Sequence, residues 1–233
     1  MSRLYVVVEG QTEEAFVERV LAPHLRGFGL ETFVRIVTSA RDPKTGAKRR
    51  GGGSTFGKWH NDLANLMDQQ ARGHAWVTTL FDLYGLPDDF PGLEASHHPH
   101  HNRAEFLEGA LRHLINEAYE HHGWRFIPYI QRYEMETLVL ASLPALAEWL
   151  DTEEQLAGLK ALAAEIEGLA PEDVNDGKET APSKRLLRHV PGYSKVIHGP
   201  DAIELTGLAA IRAACPRFNA WITALEGLNA PQA

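Results

Sequence analysis

One cysteine in 233 residues, Cys215, leaves no partner for an internal disulfide and excludes a cysteine-rich zinc site. Cys215 follows Ala213-Ala214 and precedes Pro216, a setting for a structural thiol more than a reactive one. No apolar stretch approaches the ~18 residues of a membrane span, and the first apolar run is too short for a signal peptide. A cytoplasmic protein with no membrane partner is the expectation. Two catalytic signatures are also missing. There is no Gly-x-Ser-x-Gly elbow for a serine nucleophile, and no Gly-x-Gly-x-x-Gly after the first strand for a dinucleotide cofactor.

What is present fits a globular chain with a real core: 44% hydrophobic and 23% charged residues. The formal charge of −8 is uneven. Ten acids and two lysines between Glu148 and Glu179 account for all of it. Elsewhere, Arg41, Lys44, Lys48, Arg49, Arg50 and Lys58 form a glycine-rich run of six bases against one acid, Asp42. Lys184, Arg185, Arg188 and Lys195 form a second basic cluster. Local patches decide phosphate binding, so an acidic net charge does not exclude a nucleic-acid partner.

Leu4-Tyr5-Val6-Val7-Val8 reads as a buried strand that ends abruptly at Glu9-Gly10, and Thr12 is the expected N-cap of the following helix, which runs to about Arg26. Further strands are expected at 32–37, 75–81 and 125–130, separated by helices over 58–72 and 103–122. This alternation predicts an α/β fold with about four parallel strands and helices on both faces. Residues 143–233 read as mainly helical, with Thr152-Glu153-Glu154-Gln155 in capping-box form. The division expected is 1–142 and 143–233, packed as one structural unit.

The informative pattern is positional. Glu9 ends the first strand, Asp82 the third, and Glu134 and Glu136 follow the fourth. In a parallel sheet these carboxylates emerge along one edge, where ligands bind in open α/β folds. Gathered carboxylates repel one another and call for a cation, and oxygen-only ligands favour Mg²⁺ or Mn²⁺. Such a site polarises a phosphorus and activates a bound water. The competing expectation is that acids at strand ends are common and these never converge.

Three stretches resemble the DUF4276 family of Toprim-like proteins: Val6–Glu13, Phe81-Asp82-Leu83-Tyr84-Gly85-Leu86-Pro87, and Tyr133-Glu134-Met135-Glu136-Thr137-Leu138. Pro182–Leu186, Tyr193–Lys195 and Cys215–Phe218 are similar to its later motifs. The resemblance implies a Toprim-like fold, related to nucleases of the overcoming-lysogenization-defect type, whose Mg²⁺-dependent chemistry rests on a glutamate and an Asp-x-Asp. Glu9 matches the glutamate and Asp82 the first aspartate, whereas Tyr84 stands where the second belongs. On this reading Glu9, Asp82 and Glu136 are catalytic, and Glu9, Asp82, Glu134 and Glu136 hold the metal. Lys184 and Lys195 steady the phosphate, while Arg41, Lys44, Lys48, Arg49, Arg50, Lys58 and Arg185 grip DNA or RNA. The expected function is a metal-dependent nuclease or related phosphodiester-acting enzyme, an effector of bacterial anti-phage defence. The alternative is a non-catalytic subunit that binds nucleic acid or an ATPase partner. A homodimer is compatible with either.

Two further motifs are weaker. Gly52 to Lys58 fits a phosphate-loop pattern, but Trp59 replaces the Ser or Thr that would meet Mg²⁺. His97, His98, His100 and His101 flank Pro99, which breaks helical metal-binding geometry, so a solvated loop is expected.

Overall fold

The computed structural model describes residues 1–37, 55–70, 73, 75–95, 102–175 and 177–229. It is a mixed α/β structure: a parallel sheet with helices, followed by a series of C-terminal helices. Strand β1 (Ser2–Val8) runs into α1 (Gln11–Phe16), a wider π turn (Val17–Leu21) and α2 (Ala22–Arg26). Then come β2 (Leu30–Ile36), α3 (Phe56–Gln70), β3 (Trp76–Asp82), α4 (Arg103–Ala118), β4 (Phe126–Ile127) and β5 (Ile130–Gln131). The remainder is helical: α5 (Glu136–Leu140), α6 (Leu143–Leu146), α7 (Glu153–Glu165), α8 (Pro182–His189), α9 (His198–Thr206), α10 (Leu208–Ala214) and α11 (Pro216–Glu226). No helix among the described residues is long and apolar enough to cross a membrane.

Two compact units emerge: Met1–Gly10 with Gly29–Gln131, and Gln11–Phe28 with Arg132–Ala233. This division differs from the expected boundary at 142/143. The first helical segment belongs with the C-terminal helices because its own side chains pack there. Phe16 meets Phe218 edge-on at 5.9 Å, Arg19 pairs with Asp201 at 2.7 Å, and His24 contacts Glu226 at 2.7 Å.

In the first unit the strand order is β2-β1-β3-β4, with β5 also pairing β3, and every pairing is parallel. Leu4 to Val8 are all buried, as a central parallel strand requires. The strand expected over 125–130 is instead two short pieces, because Pro128 has no N–H for the ladder. Two buried threonines on β3 repair the gap. Thr78 Oγ1 donates to the Ile127 carbonyl at 2.6 Å. Thr79 Oγ1 accepts the Tyr129 N–H at 2.8 Å and donates to its carbonyl at 2.9 Å. Glu108 of α4 then accepts the Ile130 N–H at 2.6 Å. Helix α3 packs on the sheet through Trp59, whose ring lies 4.6 Å from that of Phe81.

In the second unit, α7 opens with the expected capping box of Thr152 and Gln155. Thr12 is not an N-cap: α1 begins at Gln11, and Thr12 lies inside its first turn. The π turn ends two residues before Pro23, whose ring cannot sit in a regular α-helical ladder. One helix expected over 201–213 is two, divided at Gly207 with φ +81°.

Two stability predictions follow from this packing. Gly158 of α7 sits against the backbone of His189 at the end of α8, and a Cβ there would lie 2.8 Å from the His189 carbonyl carbon. A Gly-to-Ala change inside a helix ordinarily stabilises by up to about 1 kcal/mol. Gly158→Ala is expected to reverse that sign and destabilise by roughly 1–3 kcal/mol, read by urea unfolding. Glu226 carries the second. Burial pushes its carboxyl up, but hydrogen bonds from Arg212 and His24 outweigh this and hold it below the usual range. The stabilisation from Glu226 is therefore present above the unfolded-state pKa and is lost as pH falls through the depressed folded value. The melting temperature of Glu226→Gln should lie below wild type at pH 7, and the gap should close in acid.

Candidate functional site

The first unit brings Glu9 and Asp82 together. Strand β3 extends two residues past the paired length of β1, since Val8 stands opposite Leu80. The N–H groups of Phe81 and Leu83 bond to Tyr129 and Gln131 on the other side of β3. That of Asp82 points the opposite way, where β1 has already ended. Glu9 takes the place of the missing strand: its Oε1 accepts the Asp82 N–H at 2.6 Å. The turn after β3 closes by a bond from the Gly85 N–H to the Asp82 carbonyl at 3.0 Å, which lays Gly85 against the Glu9 carboxylate. A Cβ on Gly85 would fall 3.0 Å from the carboxyl carbon of Glu9, so the glycine keeps that space clear.

The second unit brings Glu134, Glu136 and Lys195 together. The Lys195 ammonium lies 3.0 Å from Glu136 Oε1 and 3.8 Å from Glu134 Oε1. Glu134 Oε2 accepts the Ser183 N–H at 2.9 Å, in the first turn of α8. Glu136, with 3% of its side chain exposed, is the most enclosed carboxylate of the group. Burial pushes its carboxyl above the usual range, Lys195 pulls it back without cancelling the rise, and Glu134 adds to it. Both glutamates follow Tyr133, a buried residue with φ +66°, the one non-glycine among the described residues in the left-handed region. A buried aromatic in that conformation is strained by about 1 kcal/mol or more, and the surrounding structure must impose it.

The expected group of four carboxylates is thus found as one pair in each unit. Among the described residues, neither pair is joined by a third His, Cys, Asp or Glu in metal-binding geometry. Lys184 is exposed on α8. Lys195 is engaged by the two glutamates. Arg185, expected to grip nucleic acid, instead bonds internally to Glu165 and to the Thr180 carbonyl, with Arg188 and His189 converging on the same Glu165. Lys58 is exposed in the first turn of α3. Arg41, Lys44, Lys48, Arg49, Arg50 and His97, His98, His100 and His101 lie outside the described residues. Cys215 is fully buried, and burial reinforced by Glu172 pushes its thiol far up, which fits the structural role expected of it.

Comparison with protein families matches the chain to the domain of unknown function DUF4276 over residues 8–226. The chain belongs to the DUF4276 family. No curated protein and no solved structure matches it. The DUF4276 match spans every candidate side chain above, from Glu9 to Lys195. Within it, sequence reasoning missed three residues that shape the two pairs: Gly85, Tyr133 and Ser183. Gly85 and Tyr133 lie inside the stretches that carried the resemblance, but a positive φ and a close backbone approach leave no periodic trace. Glu172 was hidden among the acids of 148–179. It is buried, and accepts the Arg217 and Phe218 N–H groups at 2.8 and 2.9 Å, capping α11 from outside the helix.

The geometry separates the structural task of Glu9 from any chemical one. Glu9→Gln keeps an acceptor for the Asp82 N–H, whereas Glu9→Leu leaves that donor unsatisfied. Denaturant unfolding should find the first close to wild type and the second less stable by roughly 1–3 kcal/mol.

Proposed function

We propose that this DUF4276 chain is a divalent-cation-dependent nuclease, or a related phosphodiester-acting enzyme, centred on Glu9 and Asp82. One observation carries the reading: Glu9, directly after β1, binds the backbone N–H of Asp82 at the end of the adjacent central strand β3, so two acidic residues meet at the carboxyl ends of neighbouring parallel strands, the edge where open α/β sheets bind ligands. Their donor set is oxygen only, which fits Mg²⁺ or Mn²⁺ and not a soft metal. The ion, when bound, neutralises phosphate oxygens and makes a water more acidic.

The chain's own residues do the positioning. The Asp82 N–H fixes the orientation of the Glu9 carboxylate, and the turn through Gly85 holds it from the other side. Glu9 is the proposed ligand or general base, and Asp82 the principal ligand. Arg41, Lys44, Lys48, Arg49, Arg50 and Lys58 are the proposed grip on a DNA or RNA backbone, through phosphate contacts that carry no sequence information. The resemblance to Toprim-like proteins supports the same chemistry and adds an ATPase partner in phage defence.

Tyr84 favours a second reading. It stands where the Toprim pattern has an aspartate, and the pair has no third carboxylate among the described residues. That composition suits a subunit that binds nucleic acid or a partner without cutting it. Cleavage assays decide between the two. With Mn²⁺ and single- and double-stranded DNA and RNA, wild type should cleave at least one substrate. Glu9→Gln and Asp82→Asn should each lose at least about a hundredfold in rate with their circular dichroism unchanged. Full activity in both variants overturns the assignment, and metal-independent binding without turnover supports the second reading.

A further inference from the structure

The sheet of the first unit has two unlike edges. At one, Pro128 divides the strand into the short pieces β4 and β5, and Glu108 takes the Ile130 N–H. Short strands, a proline and a capped donor close an edge against further pairing. The other edge is β2, seven residues long, with the sequence Leu-Glu-Thr-Phe-Val-Arg-Ile. It contains no proline, glycine or lysine, and its register against β1 runs without a bulge from Leu30 to Ile36. None of the usual devices protects it.

The ladder determines which backbone groups of β2 face outward. The Ser2 N–H donates to the Gly29 carbonyl at 3.1 Å, and the Val37 N–H donates to the Val8 carbonyl at 2.9 Å. In a parallel ladder alternate residues direct both their groups to one neighbour, so Glu31, Phe33 and Arg35 address β1. Thr32 and Val34 direct theirs away from the sheet, and their N–H groups have no partner among the described residues. The Val34 carbonyl is met by a side chain instead: Arg35 Nη1 donates to it at 2.8 Å. Thr32 and Val34 are half-buried, whereas Glu31 and Arg35 are exposed. Glu31, Phe33 and Arg35 share one face, where the Phe33 ring stacks on Tyr5 at 5.2 Å and the Arg35 guanidinium lies 5.3 Å from the Tyr5 ring centre.

We infer that β2 is a dimerisation strand, pairing antiparallel with β2 of a second copy of this chain about a two-fold axis at Phe33. In that register Thr32 and Val34 of one chain stand opposite Val34 and Thr32 of the other, and their outward groups exchange ladder hydrogen bonds. Glu31 then faces Arg35 of the second copy at a non-hydrogen-bonded position, where facing side chains approach most closely, and the same pair recurs across the axis. Arg35 releases the Val34 carbonyl to the Thr32 N–H of the second copy and turns to that carboxylate. An axis at Val34 would set Phe33 against Arg35 and Glu31 against Val37, with both charge pairs lost. The strand is thus self-complementary in charge in the register that also satisfies its free donors, which selects a second copy over an unrelated strand. The pairing closes the exposed edge and reverses the strand direction, so each copy keeps its own Glu9–Asp82 end, and the dimer stands or falls independently of the chemistry there.

Sedimentation equilibrium of the full chain from about 1 to about 100 µM tests this, since one strand pair makes a small interface of modest affinity. Wild type is expected to shift from monomer toward dimer over that range. Glu31→Arg alone and Arg35→Glu alone each set like charges opposite one another at both ends of the pair, and each should weaken self-association by about tenfold or more with circular dichroism unchanged. Mixing the two variants in equal amounts brings opposite charges together at both ends and should restore dimer as a heterodimer. Thr32→Pro removes an outward N–H that the β1 ladder does not use, together with a hydroxyl that has no partner among the described residues, and should leave a folded monomer. A wild type that stays monomeric throughout overturns the inference. So does a dimer indifferent to both charge reversals, or a mixture that associates no better than either variant alone.

Discussion

Ends of strands and starts of helices leave backbone N–H groups with no partner in their own element, and a buried one must be satisfied from elsewhere. In this protein carboxylates repeatedly do so from a distance in sequence. Glu9 serves β3 at Asp82, Glu108 serves β5 at Ile130, and Asp89 serves α3 at the Phe56 N–H. In the second unit Glu134 serves α8 at Ser183, and Glu172 serves α11 at Arg217 and Phe218. The last three are helix starts where the partial positive charge of the dipole adds to the hydrogen bond. A hydrogen bond from a backbone N–H to a carboxylate is charge-assisted and directional, so each contact both stabilises an element and fixes its register against another. Proline at the first position of α8 and α11 fits the same logic, because it removes one N–H that would otherwise need a partner.

The sequence is legible wherever a signal is local. Leu4 to Val8 and Ala75 to Phe81 read as strands because apolar, β-branched runs bounded by turn residues have few alternatives, and Thr152 with Gln155 forms its capping box because both partners lie within four residues. The parallel sheet followed by helices comes directly from that alternation. What is not legible depends on partners far away in the chain. Pro128 divides a strand, yet only Thr78 and Thr79, about fifty residues earlier, explain how the sheet survives it. Thr12 has every local qualification for an N-cap and is bypassed because the helix starts a residue sooner. Placing the boundary at 142 follows a change in composition, but the association of α1 and α2 with the C-terminal helices rests on Phe16, Arg19 and His24, whose partners begin at Asp201.

The candidate site was legible in part for the same reason. Glu9 and Asp82 could be singled out because each ends a strand, and parallel neighbours bring such ends together. Glu134 and Glu136 could be singled out as acids after the last strand. Their environment could not be read, since it is made by Tyr133, by Lys195 some sixty residues on, and by the first turn of α8. Arg185 shows the reverse error. A basic residue in a basic cluster looks solvent-facing in sequence, but Glu165 on the preceding helix claims it.

Carboxylate capping also sorts structural acids from candidate ligands. Glu172 commits Oε2 to Arg217 and Oε1 to Phe218, so both its oxygens point into one helix and its role ends there. Glu134 gives Oε2 to Ser183 and turns Oε1 toward a lysine, so its cap orients it without consuming it. Glu9 gives Oε1 to the backbone of the very residue that is its candidate co-ligand, Asp82. Breaking that bond would change the position of both carboxylates at once, which makes it an orienting contact as well as a stabilising one. The strained Tyr133 backbone acts in the same sense in the second unit. The fold sustains an unfavourable conformation at the point where the chain leaves the sheet, and the two residues it sets in place are carboxylates facing a cation.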